Sequence, residues 1–260
     1  MNARIARLGK PYLALMDGLV MGGGVGVSAH GSLRVVTERT ALAMPEVGIG
    51  FVPDVGTGWL LSRAPGELGT WLALTGSTVT GADALACGLA DHYLDSAALP
   101  KLLAALTGGA GAERPDPGRL VAELATVAPE SWLLAQRDWI DACFAVDTVE
   151  EVLERLAHRA EPAAAETARV LATRSPTALK VTLRALRSAR GLDSLPAVLE
   201  QEYRISCAAL DSPDFVEGVR AQLVDKDRNP RWSPPSLAEV DEALVARFFA
   251  PTPYGGLGLV

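Results

Sequence analysis

The fold is decided by residues 11–36, which read PYLALMDGLVMGGGVGVSAHGSLRVV. Residues 11–17 are typical of a short buried strand that ends at Gly18, and residues 33–37 are typical of a second strand. Between them, three glycines are followed by residues 25–30, whose small and apolar side chains predict a buried helix. A strand, a glycine turn, a helix and a second strand in this order predict a βαβ unit with a parallel sheet.

The rest of the chain reads as the remainder of a small α/β core followed by helices. Residues 41–44 form a further short extended run, residues 92–94 are typical of an edge strand, and helical patterns dominate beyond Gly58. Residues 107–118 are rich in glycine and proline, which predicts a linker. We therefore divide the chain into an α/β core over residues 1–106, the linker over residues 107–118 and a helical C-terminal region over residues 119–260.

Several expected helix starts carry a capping side chain. Thr80 is followed three residues later by an aspartate, and Asp147 three residues later by a glutamate, which is the spacing of a capping box. Ser175 precedes a proline, which predicts a helix over residues 175–190. That helix would bury a stripe of leucine and valine and leave a basic face, made of Lys180, Arg184, Arg187 and Arg190.

The charge and composition of the chain exclude several classes of function. Its 260 residues include 24 basic and 31 acidic side chains, so the net charge is −7. This balance argues against non-specific binding to nucleic acid, which depends on neutralising phosphates. Three widely spaced cysteines favour a reducing compartment, and there is no apolar run of about 18 residues. We expect a cytoplasmic protein with no nucleic-acid partner, no membrane partner and no metal.

A glycine turn and two carboxylates are the candidate reactive groups. Gly22, Gly23 and Gly24 remove every Cβ from the turn, so that a ligand atom can approach N–H groups that lack partners within the helix. Such a turn binds a phosphate or the oxyanion of a polarised carbonyl, unless it is only a tight packing turn. Glu46 and Asp54 each follow a proline in apolar surroundings, where loss of solvation raises a carboxyl pKa towards values useful in acid–base catalysis.

These motifs together resemble the enoyl-CoA hydratase/isomerase (crotonase) superfamily from about residue 10 to 245. The resemblance is carried by Lys10-Pro11, Met21-Gly22-Gly23-Gly24-Val25-Gly26, Ala43-Met44-Pro45-Glu46, Pro53-Asp54-Val55-Gly56, Leu74-Thr75-Gly76, Asp214-Phe215-x-Glu217-Gly218 and Asp225-Lys226-Asp227. It implies a crotonase-like ββα superhelix core and an acyl-CoA substrate whose thioester carbonyl lies in an oxyanion hole. It implies no cofactor, since CoA is part of the substrate.

The resemblance also implies roles for individual residues. The N–H of Gly23 would be an oxyanion donor. Glu46 would drive acyl transfer to water, either as a general base or as a nucleophile that forms a mixed anhydride. Asp54 would bind a substrate hydroxyl or position water. Three basic residues are candidates for binding the CoA phosphates, although a solvated surface is the simpler reading; they are Lys180, Arg184 and Lys226.

Two positions favour hydrolysis over hydration within this superfamily. Members that hydrate a double bond carry a second glutamate where this chain has Gly26, and hydrolytic members carry an aspartate where it has Asp54. The leading interpretation is therefore hydrolysis of a short branched 3-hydroxyacyl-CoA thioester, as in valine breakdown. Hydratase or isomerase activity is the first alternative, and a catalytically weak acyl-CoA-binding protein is the second.

The first strand lies unusually close to the start of the chain for this superfamily. Only nine residues precede Lys10, whereas the resembled proteins have a long section there. That section supplies sheet strands, the other oxyanion N–H and part of the CoA-binding surface. We therefore expect a core whose N-terminal strands are partly missing, through a fragment, a misplaced start or a natural truncation. An unpaired sheet edge is prone to association, so a homo-oligomer is possible.

Overall fold

The strands of the protein form two small sheets. The structure, a computed structural model, describes residues 1–107 and 115–259. Their strands are β1 (Leu13–Met16), β2 (Leu19–Met21), β3 (Leu33–Val36), β4 (Ala41–Ala43), β5 (Val79–Thr80) and β6 (His92–Tyr93). One sheet has the strand order β1-β3-β6, and the other has the order β2-β4-β5.

Helices make up most of the remaining described chain. Those before the predicted linker are α1 (Asn2–Ala6), α2 (Gly23–Ser28), α3 (Thr57–Leu61), α4 (Leu68–Thr75), α5 (Gly81–Ala86) and α6 (Leu99–Thr107), with 3₁₀ turns at Glu46–Ile49 and Ser96–Ala98. Those after its start are α7 (Pro117–Leu124), α8 (Trp132–Ala135), α9 (Arg137–Phe144), α10 (Val149–Ala157), α11 (Pro162–Ala172), α12 (Pro176–Arg190), α13 (Leu195–Leu210), α14 (Pro213–Val219) and α15 (Glu242–Arg247), with a π turn at Arg220–Val224 and a 3₁₀ turn at Leu237–Glu239. Residues 115–259 contain no strand.

The predicted βαβ unit is confirmed. β1 and β3 pair in parallel, from Leu13 opposite Leu33 to Met16 opposite Val36, and α2 lies between them in the chain. β6 extends this sheet in parallel beside β3, as the expected edge strand. In the second sheet, β4 pairs in parallel with β2 and antiparallel with β5. Sequence patterning does not reveal β2 or β5, which have three and two residues.

The expected helix caps are confirmed at two positions and shifted at a third. Thr80 caps α5 in a reciprocal capping box, and the hydroxyl of Ser175 caps α12. At α10 the cap is Thr148 rather than Asp147, and its hydroxyl accepts a hydrogen bond from the N–H of Glu151 at 3.2 Å. Thr148 has the extended backbone of a cap residue, which allows its side chain to reach the third residue of the helix.

The basic face expected on α12 is paired with acidic side chains. Arg187 and Arg190 both form salt bridges with the buried Glu67, at 3.0 and 2.8 Å. Lys180 forms a salt bridge with Glu150 at 2.6 Å. α12 thus uses these cations to contact α10 and the turn before α4.

One hydrophobic core contains residues from both sides of the predicted linker. Its buried members include Met16 and Leu42 of the sheets together with Leu179 of α12. Residues 108–114 of the predicted linker lie outside the described residues, and α7 begins at Pro117, within the predicted range. The shared core shows that the two regions pack against each other, and their division stays a prediction.

Two helical glycines permit close contacts between elements. A Cβ at Gly69 of α4 would lie 1.9 Å from the carbonyl oxygen of Leu61 in α3. A Cβ at Gly218 of α14 would lie 2.3 Å from the backbone of Ile49. The second contact places α14 directly against the 3₁₀ turn that begins at Glu46. Larger side chains at either glycine would force these backbones apart.

We expect Gly69→Ala to destabilise the protein by about 1–3 kcal/mol through overpacking, although alanine is the better helix former. Gly118→Ala in α7 is the matched control, because its added Cβ would meet no atom closer than 3.7 Å among the described residues. We expect that variant to keep or slightly increase the free energy of unfolding. Urea unfolding followed by circular dichroism measures both. Equal stability of the two variants would contradict the close contact of α3 with α4.

Candidate active site

Glu46 places its carboxyl group against the backbone of the glycine turn. It is the first residue of the 3₁₀ turn and is only 9% exposed. A Cβ at Gly22 would lie 2.8 Å from Oε1 of Glu46, and Gly22 also has φ +51°, so glycine is required on both counts. Oε2 of Glu46 is buried and has no hydrogen-bond partner among the described residues. The structure thus brings together the glycine turn and one of the two predicted acids.

The pKa of Glu46 is raised to about 8, mainly by burial of its carboxyl group and additionally by the negative charge of Asp54. The effect of Asp54 shows that the two predicted acids lie within electrostatic reach of each other. A carboxyl group with a pKa near 8 is present in both protonation states around neutral pH. Glu46 is therefore suited to accepting and donating protons.

Asp54 lies at the start of a bent loop. It is half-buried, and burial raises its pKa. Its backbone carbonyl accepts hydrogen bonds from the N–H and the hydroxyl of Thr57, at 2.9 and 2.7 Å. The next residues, Val55 and Gly56, have φ +54° and +81°. A left-handed conformation is unfavourable for a β-branched valine, so this loop must be held by its surroundings.

Two buried side chains hold the loop after Asp54. Nε2 of His30 donates a hydrogen bond to the carbonyl oxygen of Val55 at 2.8 Å, and burial lowers the pKa of His30, which favours the neutral ring. The carboxylate of Glu202 accepts hydrogen bonds from the N–H groups of Gly56 and Gly58, at 2.6 and 2.9 Å. His30 therefore supports the backbone of this loop.

Glu202 supports the loop of the candidate site, and sequence patterning does not single it out. Burial is the main cause that raises its pKa to about 8, and the charges of Asp54 and Glu46 raise it as well. It interrupts an apolar stripe of α13, whose buried residues are Leu195, Val198, Glu202, Ile205 and Ala209. An acid within such a stripe is the signal that identifies it, because a carboxylate is costly to bury without partners.

Gly23 is the first residue of α2, where a backbone N–H has no acceptor within the helix. A Cβ built on Gly23 would meet nothing within 4 Å among the described residues. There is consequently room for a ligand atom beside this backbone, one residue from the contact between Gly22 and Glu46. The role of Gly23 as an oxyanion donor stays a prediction.

The basic residues considered for phosphate binding differ in their surroundings. Besides its salt bridge, Lys180 donates a hydrogen bond to the carbonyl oxygen of Val240 at 2.9 Å. Arg184 pairs with Glu242 and lies 4.6 Å above the ring of Phe249. Lys226 is exposed and has φ +58°. Lys180 and Arg184 would have to leave these partners to bind a phosphate. The structure therefore gives no support for their role as phosphate ligands.

Cys87, Cys143 and Cys207 are free thiols, of which the first two are buried. Among the side chains that the structure describes, no group of three or more His, Cys, Asp or Glu residues is arranged to hold a metal ion. In residues 1–107 and 115–259, no helix combines the length and the apolar character needed to cross a membrane.

The chain is similar in sequence to curated proteins and to a family model described as enoyl-CoA hydratase/isomerase, which matches residues 1–249. The 3-hydroxyisobutyryl-CoA hydrolase of Rattus norvegicus is 42% identical over 254 residues, 96% of this chain and 66% of that protein. The Homo sapiens protein of the same name is 41% identical over 247 residues, 93% of this chain and 64% of that protein. An Arabidopsis thaliana protein, 3-hydroxyisobutyryl-CoA hydrolase-like protein 1, is 43% identical over 249 residues, 92% of this chain and 62% of that protein. The chain thus spans slightly less than two thirds of these relatives.

The chain also resembles solved structures. A carnitinyl-CoA dehydratase from Mycobacterium thermoresistibile has a TM-score of 0.90 and 52% identity, over 97% of this chain and 71% of that one. An enoyl-CoA hydratase from Rhodobacter sphaeroides 2.4.1 has a TM-score of 0.88 and 41% identity, over 98% of this chain and 73% of that one. The expected crotonase-like fold is confirmed by these matches together with the family model.

The names of the three curated relatives describe them as mitochondrial. The cytoplasmic location expected from the sequence is contradicted by these names. That expectation depended on cysteine usage and on the lack of a long apolar run. Neither feature distinguishes one reducing compartment from another.

The raised pKa of Glu46 makes the stability of the protein depend on pH. The group binds its proton more tightly in the folded state, with a pKa of about 8 against an ordinary value of 4.5, so stability falls as the pH rises through this interval. We expect Glu46→Gln to reduce the decrease in the free energy of unfolding by up to about 1.4 kcal/mol per pH unit. Chemical unfolding at several pH values across the interval measures it.

Glu130→Gln is the control for this measurement, because Glu130 is exposed and the substitution removes the same charge. We expect it to leave the pH dependence of unfolding as in the unaltered protein. An identical pH dependence in the Glu46 and Glu130 variants would show that Glu46 ionises in the folded protein without a penalty.

Proposed function

This chain belongs to the enoyl-CoA hydratase/isomerase family, and from that premise we propose that it hydrolyses the thioester of a short branched 3-hydroxyacyl-CoA. The substrate class is the one in the names of the curated relatives. The place of the reaction in valine breakdown is part of the proposal. The proposal depends above all on the buried carboxyl group of Glu46, which lies against the glycine turn and within electrostatic reach of Asp54.

In this proposal the thioester carbonyl lies beside the N–H of Gly23, which stabilises the oxyanion that forms during acyl transfer. The open space next to Gly23 supports this placement. An oxyanion donor is worth about 3–4 kcal/mol in enzymes where it has been removed. The glycine turn therefore contributes to the rate through its backbone rather than through a side chain.

Glu46 drives the transfer of the acyl group to water in one of two ways. As a general base it removes a proton from water, the resulting hydroxide adds to the carbonyl carbon, and the C–S bond breaks to release the CoA thiol. As a nucleophile its carboxylate displaces the CoA thiolate, which takes a proton from solvent, and water then cleaves the mixed anhydride into the free acid and Glu46. Both ways require the ionised carboxylate, and its unpartnered Oε2 supports either.

Asp54 binds the substrate hydroxyl or positions the attacking water in the same proposal. Its place is fixed by the bent loop, which His30 and Glu202 hold through Val55, Gly56 and Gly58. Its negative charge also raises the pKa of Glu46, which makes Glu46 a stronger base.

Hydration of an enoyl-CoA is the second candidate, because the two solved structures reported above are named as a dehydratase and a hydratase. In the superfamily, that reaction uses a second glutamate at the position of Gly26. A Cβ at Gly26 would lie 2.5 Å from Cβ of Val55, so α2 has no acid at this position and no room for one. This crowding favours hydrolysis.

Release of free thiol from 3-hydroxyisobutyryl-CoA tests the proposal. We expect kcat/KM to rise with pH and to level off above about 8, because ionised Glu46 is required. We expect Glu46→Gln to reduce thiol release by about 10²–10⁴-fold. Glu130→Gln, which alters an exposed acid, should leave the rate unchanged.

Two outcomes would contradict the hydrolase proposal. Loss of enoyl absorbance without thiol release would assign the site to hydration. Tight binding of the thioester without either reaction would identify an acyl-CoA-binding protein.

A further inference from the structure

The side-chain amide of Asn2 lies beside the same glycine-lined part of α2 as Glu46. Gly22 immediately precedes α2 and Gly26 lies within it, and the N–H of Gly26 donates a hydrogen bond to the carbonyl oxygen of Gly22 at 3.2 Å. A Cβ at Gly22 would lie 2.8 Å from Oε1 of Glu46, and a Cβ at Gly26 would lie 2.7 Å from Nδ2 of Asn2. The same Cβ at Gly26 would lie 2.5 Å from Cβ of Val55. Asn2 of α1 and Val55, the residue after Asp54, thus both lie against Gly26.

Two buried polar atoms of these side chains have no hydrogen-bond partner in the described part of the chain. They are Nδ2 of Asn2 and Oε2 of Glu46. The first is a donor, and the second is an acceptor when Glu46 is ionised. An unpaired buried amide destabilises a folded protein, so the stability of the free protein gives no reason for Asn2. A hydroxyl group both accepts and donates, and one hydroxyl can therefore satisfy an amide N–H and a carboxylate together.

We infer that Asn2 is a specificity-determining residue, whose Nδ2 donates a hydrogen bond to the hydroxyl on the acyl group of the substrate. This inference rests on the proposed function and deepens it, because it assigns the recognition of the 3-hydroxy group to a residue of α1. The hydroxyl in turn donates to a carboxylate of the site. A thioester without the hydroxyl leaves the amide unpaired, and a site built around a hydrogen bond discriminates strongly against such an analogue.

Asn2→Leu separates recognition from structure. Leucine has the same branching at Cγ as asparagine and has no donor, so it replaces an unpaired buried amide with an apolar group. We expect the unfolding temperature to stay the same or to rise, because removing an unsatisfied polar group is neutral or stabilising. Arg4→Ala is the matched control, since Arg4 is an exposed residue of the same helix.

Two thioesters reveal the effect on specificity. They are 3-hydroxyisobutyryl-CoA and isobutyryl-CoA, which is the same thioester without the hydroxyl. We expect Asn2→Leu to lower kcat/KM for the first by about 10–100-fold, as the loss of one hydrogen bond from a buried donor predicts. We expect a change of less than about twofold for the second, and no change for either in Arg4→Ala. Equal losses for both thioesters, or a clearly lower unfolding temperature, would overturn the inference and make Asn2 a structural residue or a contact of the attacking water.

Binding distinguishes a failure of this inference from a failure of the hydrolase proposal. Thioether analogues of the two substrates resist hydrolysis and can be titrated calorimetrically into the unaltered protein and into Asn2→Leu. A preference for the hydroxylated analogue that disappears in Asn2→Leu supports the role of Asn2 even if no thiol is ever released, in which case only the hydrolase proposal fails. An unaltered protein that binds both analogues equally, or binds neither, overturns the role of Asn2 whatever its activity.

Discussion

The contact between the carboxyl group of Glu46 and the backbone of Gly22 is the constraint on which the rest of the site depends. It removes the carboxyl group from water, and no cation in residues 1–107 and 115–259 offsets its charge, so the neutral form is favoured to a pH of about 8. A group in this position is a strong base whenever it ionises, and it faces a turn without side chains. The same contact thus determines both the reactivity of the acid and the space that remains beside it.

The helical C-terminal region holds the turn that carries Glu46 in place. A Cβ at Gly50, which follows the Glu46 turn, would lie 2.4 Å from the backbone oxygen of Asp214. The carboxylate of Asp214 in turn accepts hydrogen bonds from the hydroxyl of Ser175 at 2.5 Å and from the N–H of Ser233 at 2.7 Å. Together with Glu202 on the Asp54 loop, these contacts make the C-terminal helices the support of both acids. The C-terminal region, which the sequence shows only as helices after a linker, therefore supports the candidate site.

The sequence predicts those features that local rules determine. The βαβ order and the cap at Thr80 follow from periodicity and side-chain spacing over a few residues. The apolar surroundings of Glu46 follow from the residues that flank it in the sequence. Glu202 pairs with Gly56 over a separation of 146 residues. Arg187 meets Glu67 over a separation of 120 residues. No local pattern specifies such partners, because tertiary packing decides which side chains of a helix meet which turn.

The crowding at Gly26 bears on how sites of this kind diverge in evolution. A Cβ there would overlap with Val55 and Asn2, so no side chain can be added without moving the side chain of Asn2 and the loop after Asp54. A single substitution that adds an acid at position 26 would then destabilise the protein. The path between the two kinds of site is consequently epistatic, and a mutant library that seeks to cross it has to vary positions 2, 26 and 55 together.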